Sequence, residues 1–143
     1  PIEAITVMVQ KEAAQRICAE VGTRQSGAVT VSVNYYAEPE MLFGVSAGSF
    51  MPAPKVDSAV IRLNVRKEPP VKVESEKLLF NVIKAAFSQR RKTLANSLSS
   101  GLSVEKGKIN ELLINSGVET NARAEKLTLD DFANITNNLQ EMM

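Results

Sequence analysis

The segment that decides the fold spans residues 50–58 and reads Phe50-Met51-Pro52-Ala53-Pro54-Lys55-Val56-Asp57-Ser58. Each proline fixes its own φ angle and pushes the preceding residue toward an extended conformation. The segment therefore has little conformational freedom. It leads directly into residues 58–65, where apolar and polar side chains alternate as in a strand. A rigid turn at the entrance of a strand holds the Phe50 ring in one place.

A fixed aromatic ring in such a turn can stack on a base that has been extruded from RNA. Phe50 is therefore a candidate base-stacking residue, and Pro52 and Pro54 are the residues that would hold it in position. The structural alternative is that Phe50 is an ordinary core aromatic residue and that the prolines only end a strand. Turns of this composition are common, so the segment alone does not decide between the two interpretations.

Composition excludes several classes of function. The chain has 143 residues, 44% of them hydrophobic, which suits one ordinary domain or two small ones. It contains no histidine and one cysteine, so we expect neither a hydrolytic triad nor a metal site, and the lone thiol fits a reducing, cytoplasmic location. No apolar run approaches the ~20 residues that span a bilayer, and residues 1–5 do not resemble a signal peptide. The missing initiator methionine indicates a piece of a longer protein.

Charge is distributed unevenly along a chain whose net charge is only +1. Residues 50–92 carry ten basic and four acidic side chains, whereas residues 111–143 carry two basic and six acidic ones. A local excess of this size predicts a surface that faces phosphate groups. The alternative is a solvated surface without a partner, which is the usual explanation of a charge run.

The periodicity of apolar residues predicts an α/β part, a short linker and a small helical domain. Residues 4–9 are predicted as a strand buried on both faces of a parallel sheet, and residues 11–20 as a helix. Apolar residues alternate with polar ones from 29 to 35, which favours a strand, and further strands are predicted at 40–45 and 58–65. Beyond the proline-containing linker 67–74, the predicted helices span residues 76–87, 93–98, 103–113 and 128–139.

Five blocks of the chain together resemble the bacterial KsgA/RsmA family of 16S ribosomal RNA adenine dimethyltransferases, and they occur in the family's order. The most distinctive block is Ala86-Phe87-Ser88-Gln89-Arg90-Arg91-Lys92-Thr93-Leu94-Ala95-Asn96-Ser97-Leu98. The other four are residues 7–17, the run Tyr35-Tyr36-Ala37-Glu38-Pro39, residues 50–60, and Arg123-Ala124-Glu125-Lys126-Leu127 with Asp131-Phe132.

The resemblance implies a partial Rossmann-like class I methyltransferase sheet in residues 1–66, a linker at 67–74 and a helical domain at 75–143 that docks on ribosomal RNA. It places strands at about 4–9, 40–46 and 58–66. It also implies that residues 28–36 form a helix, against the alternation noted above, and we follow the resemblance because tertiary context often overrides propensity.

The family uses S-adenosylmethionine, but the resemblance covers only its second half. The family's Gly-rich loop and its Asn-Leu-Pro-Tyr motif do not occur in this sequence. We therefore expect residues 1–143 alone to bind no S-adenosylmethionine and to have no methyltransferase activity. We also expect the truncated sheet to self-associate through the unpaired edge of residues 4–9.

In this family the partner is 16S ribosomal RNA within the small subunit. The resemblance assigns base stacking to Phe50, in the turn formed with Pro52 and Pro54. It assigns RNA contacts to the basic side chains of Arg90, Arg91, Lys92 and Lys55. The alternative for the three consecutive cations is a solvated turn.

Two other classes of function remain open. One is a large-subunit RNA methyltransferase related to the Erm enzymes, which have the Phe-Pro-Pro turn but not the Arg-Arg-Lys-Thr-Leu block. The other is a non-catalytic RNA-binding factor in small-subunit assembly, the only one of these roles that the fragment by itself would support.

Overall fold

The computed structural model describes residues 2–49, 56–89 and 91–143. Three strands occur in this part of the chain: β1 (Ala4–Gln10), β2 (Ala37–Val45) and β3 (Ser58–Val65). The helices are α1 (Lys11–Ile17), α2 (Ala28–Tyr36), α3 (Glu76–Ala86), α4 (Leu94–Leu102), α5 (Lys106–Asn115) and α6 (Leu129–Met142). Short 3-10 turns lie at Ala47–Ser49 and Ala124–Lys126.

The three strands form one antiparallel sheet in the order β1-β3-β2. Ile61 in the central strand lies opposite Val7 on one side and Met41 on the other. The predicted environment of the first strand is wrong, because β1 pairs antiparallel with β3 and most of it is exposed. Ile5 is 41% and Met8 53% exposed, since no described element covers the outer side of β1 or the face that carries Met8. Self-association through this edge remains a prediction.

One face of the sheet is covered by α1. Ala14 of α1 is fully buried against Ala59 and Ile61 of β3, and Val7 and Val9 of β1 pack around this small cluster. The cluster is small because α1 is only seven residues long and presents a narrow apolar stripe. The helix ends earlier than the predicted residue 20.

Residues 28–36 form helix α2, so the resemblance was right and the alternating pattern was misleading. β-branched residues tolerate either conformation, and the surroundings decide between them. Val31 and Tyr35, four positions apart on one side of α2, are both buried in the core formed by the C-terminal helices. Burial of that stripe outweighs the modest helix propensity of three valines.

Helices α3 to α6 surround a core that contains the largest group of fully buried side chains, among them Leu79, Leu98 and Phe132. Side-chain caps begin the first and the last of these helices. Ser75 Oγ accepts a hydrogen bond from Leu78 N at 3.1 Å at the start of α3. At the start of α6, Thr128 and Asp131 exchange reciprocal side-chain to backbone bonds of 3.1 and 3.0 Å, as in a capping box.

The sheet is joined to the helices mainly through α2. Tyr36 stacks on Phe80 of α3 with 5.6 Å between ring centroids, and its hydroxyl donates to Glu76 Oε2 at 2.9 Å. Burial, followed by the nearby Glu76 carboxylate, raises the pKa of the Tyr36 phenol. Residues 67–74 contain no helix or strand, and Asn137 of α6 holds this segment by a bond of 2.9 Å to Lys72 O. The division at residues 66 and 75 stays a prediction.

Two further observations concern the described ranges only. No helix there is long and apolar enough to cross a membrane. No group of three or more potential metal-ligating side chains comes together there either.

Helices α3 and α4 cross closely at Gly101 of α4 and Ala85 of α3. A Cβ atom added to Gly101 would lie 2.6 Å from Ala85 Cβ and 2.8 Å from Ala85 Cα, which is closer than side chains pack. We expect Gly101→Ala to destabilise the protein by about 1–3 kcal/mol in chemical denaturation, because two backbones must separate.

Gly107→Ala is the matched control. It lies in α5, and the nearest atom to its added Cβ is Glu105 Oε1 at 3.6 Å. This substitution should leave stability unchanged or raise it by up to ~1 kcal/mol through helix propensity. Equal stabilities for the two variants would show that the close α3–α4 crossing does not constrain the fold.

Candidate nucleic-acid interface

Most of the predicted site falls outside the described residues. Five predicted site residues are affected: Phe50, Pro52, Pro54 and Lys55, which lie in the segment 50–55, and Arg90. The roles assigned to these five residues therefore stay predictions. The residues on either side of 50–55 and of Arg90 are nevertheless described.

The two ends of the segment 50–55 are held together by Asp57. Its side-chain Oδ1 accepts a hydrogen bond from Ala47 N at 2.9 Å, which links the described residues on either side of this segment. Its carbonyl oxygen accepts from Lys11 N, also at 2.9 Å, at the first residue of α1. Ala47 and Asp57 are therefore attached at the end of the sheet where β1 passes into α1.

The predicted cations lie in the turn between α3 and α4, and this turn is tied to both helices. Arg91 and Lys92 are exposed. Lys92 N donates to Gln89 O at 3.2 Å, and Ser97 Oγ of α4 donates to the same carbonyl at 3.4 Å. Thr93 Oγ1 accepts from Asn96 N at 3.5 Å and thereby caps α4. Two exposed cations on an anchored turn are available to contact phosphate groups.

A cavity of about 680 Å³ connects this turn with the α1–α2 loop. Ser26, Gly27 and Ala28 form one wall at the start of α2, and Phe87 and Gln89 form another at the end of α3. The charged side chains that line it are Arg16, Arg24, Lys92, Glu12 and Glu125. The cavity thus lies between the sheet-bearing part and the helical core, with a small excess of positive charge.

The loop that forms this cavity is positioned by Thr30. Its hydroxyl accepts a hydrogen bond from Gly27 N at 3.0 Å and donates one to Arg16 O at 2.6 Å. The side chain of Thr30 is fully buried. The carboxyl end of α1 and the start of α2 are therefore held against each other, which places Arg16 beside Gly27.

Sequence reasoning missed this cavity, because its walls come from segments about 60 residues apart. Arg16 appeared to be an ordinary surface charge, and Ser26 and Gly27 appeared only as part of a polar loop. The signal available in the sequence was Gly27, which has no side chain to cap the helix that follows, in a loop that also carries Arg24.

Comparison with known proteins gives the family. The pattern of the family described as "Ribosomal RNA adenine dimethylase" matches residues 1–141. This chain belongs to that family. The match covers both the sheet and the helical core, so the expected order of an α/β part and a helical part is confirmed.

Several bacterial relatives named "Ribosomal RNA small subunit methyltransferase A" match the chain over its full length. The relative from Alkaliphilus oremlandii is 43% identical over 144 residues, and that from Lachnoclostridium phytofermentans is 46% identical over 145 residues. In both cases the match includes 100% of this chain and 50% of the relative. The chain thus spans about half the length of these curated relatives.

Two solved structures share the fold. A dimethyladenosine transferase from Plasmodium falciparum superimposes with a TM-score of 0.75 at 22% identity, covering 93% of this chain and 55% of the other. The 23S rRNA methyltransferase ErmE gives a TM-score of 0.62 at 24% identity, covering 96% and 55%. The predicted partial Rossmann-like methyltransferase fold is therefore confirmed.

The residues of this chain do not suit the methyl donor that such an enzyme requires. Nucleotide-like cofactors in α/β folds bind at a Gly-rich turn that follows a parallel strand. Here β1 is antiparallel to β3, and Gln10 is followed at once by Lys11 of α1, with neither a loop nor a glycine between them. No step of the chemistry is therefore assigned to a cofactor held by the described residues.

Proposed function

We propose that the intact protein is an S-adenosylmethionine-dependent methyltransferase that dimethylates N6 of adenine in small-subunit ribosomal RNA, in the cytoplasm, during ribosome assembly. The observation that carries this proposal is the family match over residues 1–141, together with relatives that are named as small-subunit enzymes. The two solved structures, each less than 25% identical, support the fold alone.

The reaction demands accurate positioning. The lone pair of the adenine N6 amine is delocalised into the ring, which makes this amine a poor nucleophile. The enzyme must therefore hold the base in line with the donated methyl group, and positioning and electrostatics supply most of the acceleration. Polar groups that contact N6 and the methyl donor belong to the half of the enzyme outside this chain.

In this proposal residues 1–143 bind RNA rather than perform the chemistry. Phe50 stacks on the target adenine, and Arg90, Arg91, Lys92 and Lys55 contact phosphates. The bonds of Ala47 and Asp57, and the bond of Lys92 N to Gln89 O, support these roles, because fixed flanking residues reduce the entropy lost on binding.

A substitution of Phe50 tests base stacking. In the intact enzyme, Phe50→Ala should reduce methylation of small subunits at least about tenfold, since stacking contributes ~1–3 kcal/mol per base. Phe50→Trp keeps a stacking surface and should retain most activity. Mass spectrometry of the RNA measures methylation and shows which subunit is modified. Normal methylation by the alanine variant would mean that Phe50 is only a core aromatic residue.

Replacement of Arg90, Arg91 and Lys92 by alanine tests docking. Affinity for the small subunit should fall, and the slope of log affinity against log salt should become shallower by about two to three units, because three phosphate contacts are lost. Alanine at the exposed Lys77, Lys106 and Lys108 removes the same charge elsewhere and should leave the slope unchanged. Equal behaviour of the two triple variants would identify the cations as a solvated turn.

The division of labour between the two halves is also measurable. Isothermal titration calorimetry of residues 1–143 alone should show no heat of S-adenosylmethionine binding, whereas the intact protein should bind it. A micromolar dissociation constant for residues 1–143 would overturn the assignment of the cofactor to the other half.

A further inference from the structure

The cavity between the α1–α2 loop and the end of α3 contains a buried hydroxyl without a partner. Ser26 lines the cavity and is only 6% exposed. Its Oγ makes no hydrogen bond to any described residue. Buried polar side-chain atoms are nearly always paired, so an unpaired one in a cavity wall indicates a group that binds there.

The start of α2 forms the adjacent wall and is uncapped. Gly27 occupies the N-cap position and its own N–H is bonded to Thr30 Oγ1, but no described side-chain oxygen caps the backbone N–H groups that follow it. Such free N–H groups, aided by the helix dipole, attract anions. Backbone strain does not explain the glycine, because its φ of −138° is extended and suits any residue.

Positive side chains surround the same place. A Cβ atom added to Gly27 would lie 3.7 Å from Arg16 Nη1, so this guanidinium lies beside the helix start. Arg24 and Lys92 also line the cavity, and none of the three forms an ion pair with a described carboxylate. With Glu12 and Glu125 included, the described residues of the lining have a net charge of +1, which is opposite in sign to the charge of a phosphodiester.

A second unpaired atom shows that phosphate alone would not satisfy the cavity. The Oε1 of Gln89 is buried and accepts no hydrogen bond from the described residues. A phosphodiester has no hydrogen to donate to it, so a ligand that pairs with Gln89 would also present a donor. A ribose 2′-hydroxyl supplies one, and it is the group that distinguishes RNA from DNA.

We propose that this cavity binds one nucleotide of single-stranded RNA. The phosphodiester lies at the start of α2, against the Ser26 hydroxyl and the guanidinium groups of Arg16 and Arg24, and the ribose 2′-hydroxyl donates to Gln89. The volume falls within the range of about 300–1,000 Å³ that is usual for small-ligand sites. The inference rests on the proposed function, because it identifies a further contact with the RNA substrate.

Substitution of Gly27 separates binding from folding. In the intact protein, Gly27→Asp adds an N-cap carboxylate beside Arg16 that occupies the position proposed for the phosphate. The thermal unfolding temperature should stay the same or rise, because aspartate caps helices well. Affinity for a fluorescent single-stranded RNA 12-mer, measured by anisotropy at fixed salt, should fall about tenfold.

Gly27→Asn is the matched control, since it has the same shape and capping ability without the charge, and it should change the affinity less than about threefold. Arg16→Ala with Arg24→Ala should weaken binding and reduce the salt slope by about one unit. Lys106→Ala with Lys108→Ala, on the exposed surface of α5, should do neither. Wild-type affinity in the Gly27→Asp variant would overturn the proposal.

The ribose contact has its own test. Gln89→Met keeps the approximate shape of the side chain and removes the acceptor. The ratio of affinities for RNA and DNA 12-mers of one sequence should move toward one, and an unchanged ratio would reject the 2′-hydroxyl contact. Methylation of small subunits by the wild-type enzyme is measured separately. Its absence would refute the proposed function, whereas methylation with unaltered oligonucleotide binding in Gly27→Asp would refute the cavity alone.

Discussion

The hydroxyl of Thr30 is the contact on which the arrangement of this chain depends. Arg16 O belongs to the last turn of α1, and Gly27 N immediately precedes α2, so a single buried oxygen joins the end of one helix to the start of the next. A buried hydroxyl that both donates and accepts is fully compensated for its loss of water. Residues 18–27, which form a wall of the cavity, are thereby closed into a short loop between two fixed points.

Helix α2, which contains Thr30, also connects two cores of unequal size. Among the described residues, the core beneath the sheet contains three buried residues, whereas the core of the helices contains twenty-one, and two of these, Val31 and Tyr35, come from α2. A sheet that buries so little apolar surface gains little stability of its own. Its position therefore depends on α2, on the Tyr36–Phe80 stack and on the bond between Tyr36 and Glu76.

The parts of the fold that follow from local chemistry could be predicted from the sequence. Ser75 and the pair Thr128 and Asp131 marked helix starts because a cap is defined by residues three apart. The environment of β1 could not be predicted in this way, since burial depends on which elements pack around a strand. Residues 28–36 needed the family resemblance, because alternating valines fit a strand and a helix equally well until Val31 and Tyr35 meet the helical core.

The candidate site likewise has a part that local sequence predicts and a part that it does not. The aromatic turn at Phe50 and the basic turn at Arg91 are each a single continuous stretch of sequence. The sequence pattern and the family resemblance therefore identify both turns and assign each of them a function. The cavity is not contiguous: Ser26 and Gln89 are 63 positions apart, and neither has a property that marks it as a binding residue on its own. Only the packing of α2 against α3 brings Ser26 and Gln89, with their unpaired side-chain oxygens, into the lining of one cavity. The periodicity of the sequence does not predict such a contact between distant segments.

Helix α1 sets the distance between the two regions to which RNA contacts are assigned. Its first residue, Lys11, is bonded to Asp57, which follows the segment that contains Phe50, and its last turn is bonded to Thr30 beside the cavity. Seven residues at ~1.5 Å each give a spacer of about 10 Å. Because both ends are fixed by hydrogen bonds of 2.6–2.9 Å, α1 sets the separation between Asp57 and the Thr30 side of the cavity. Asp57 directly precedes β3, so the position of the cavity relative to the sheet is determined by α1 and by these two bonds.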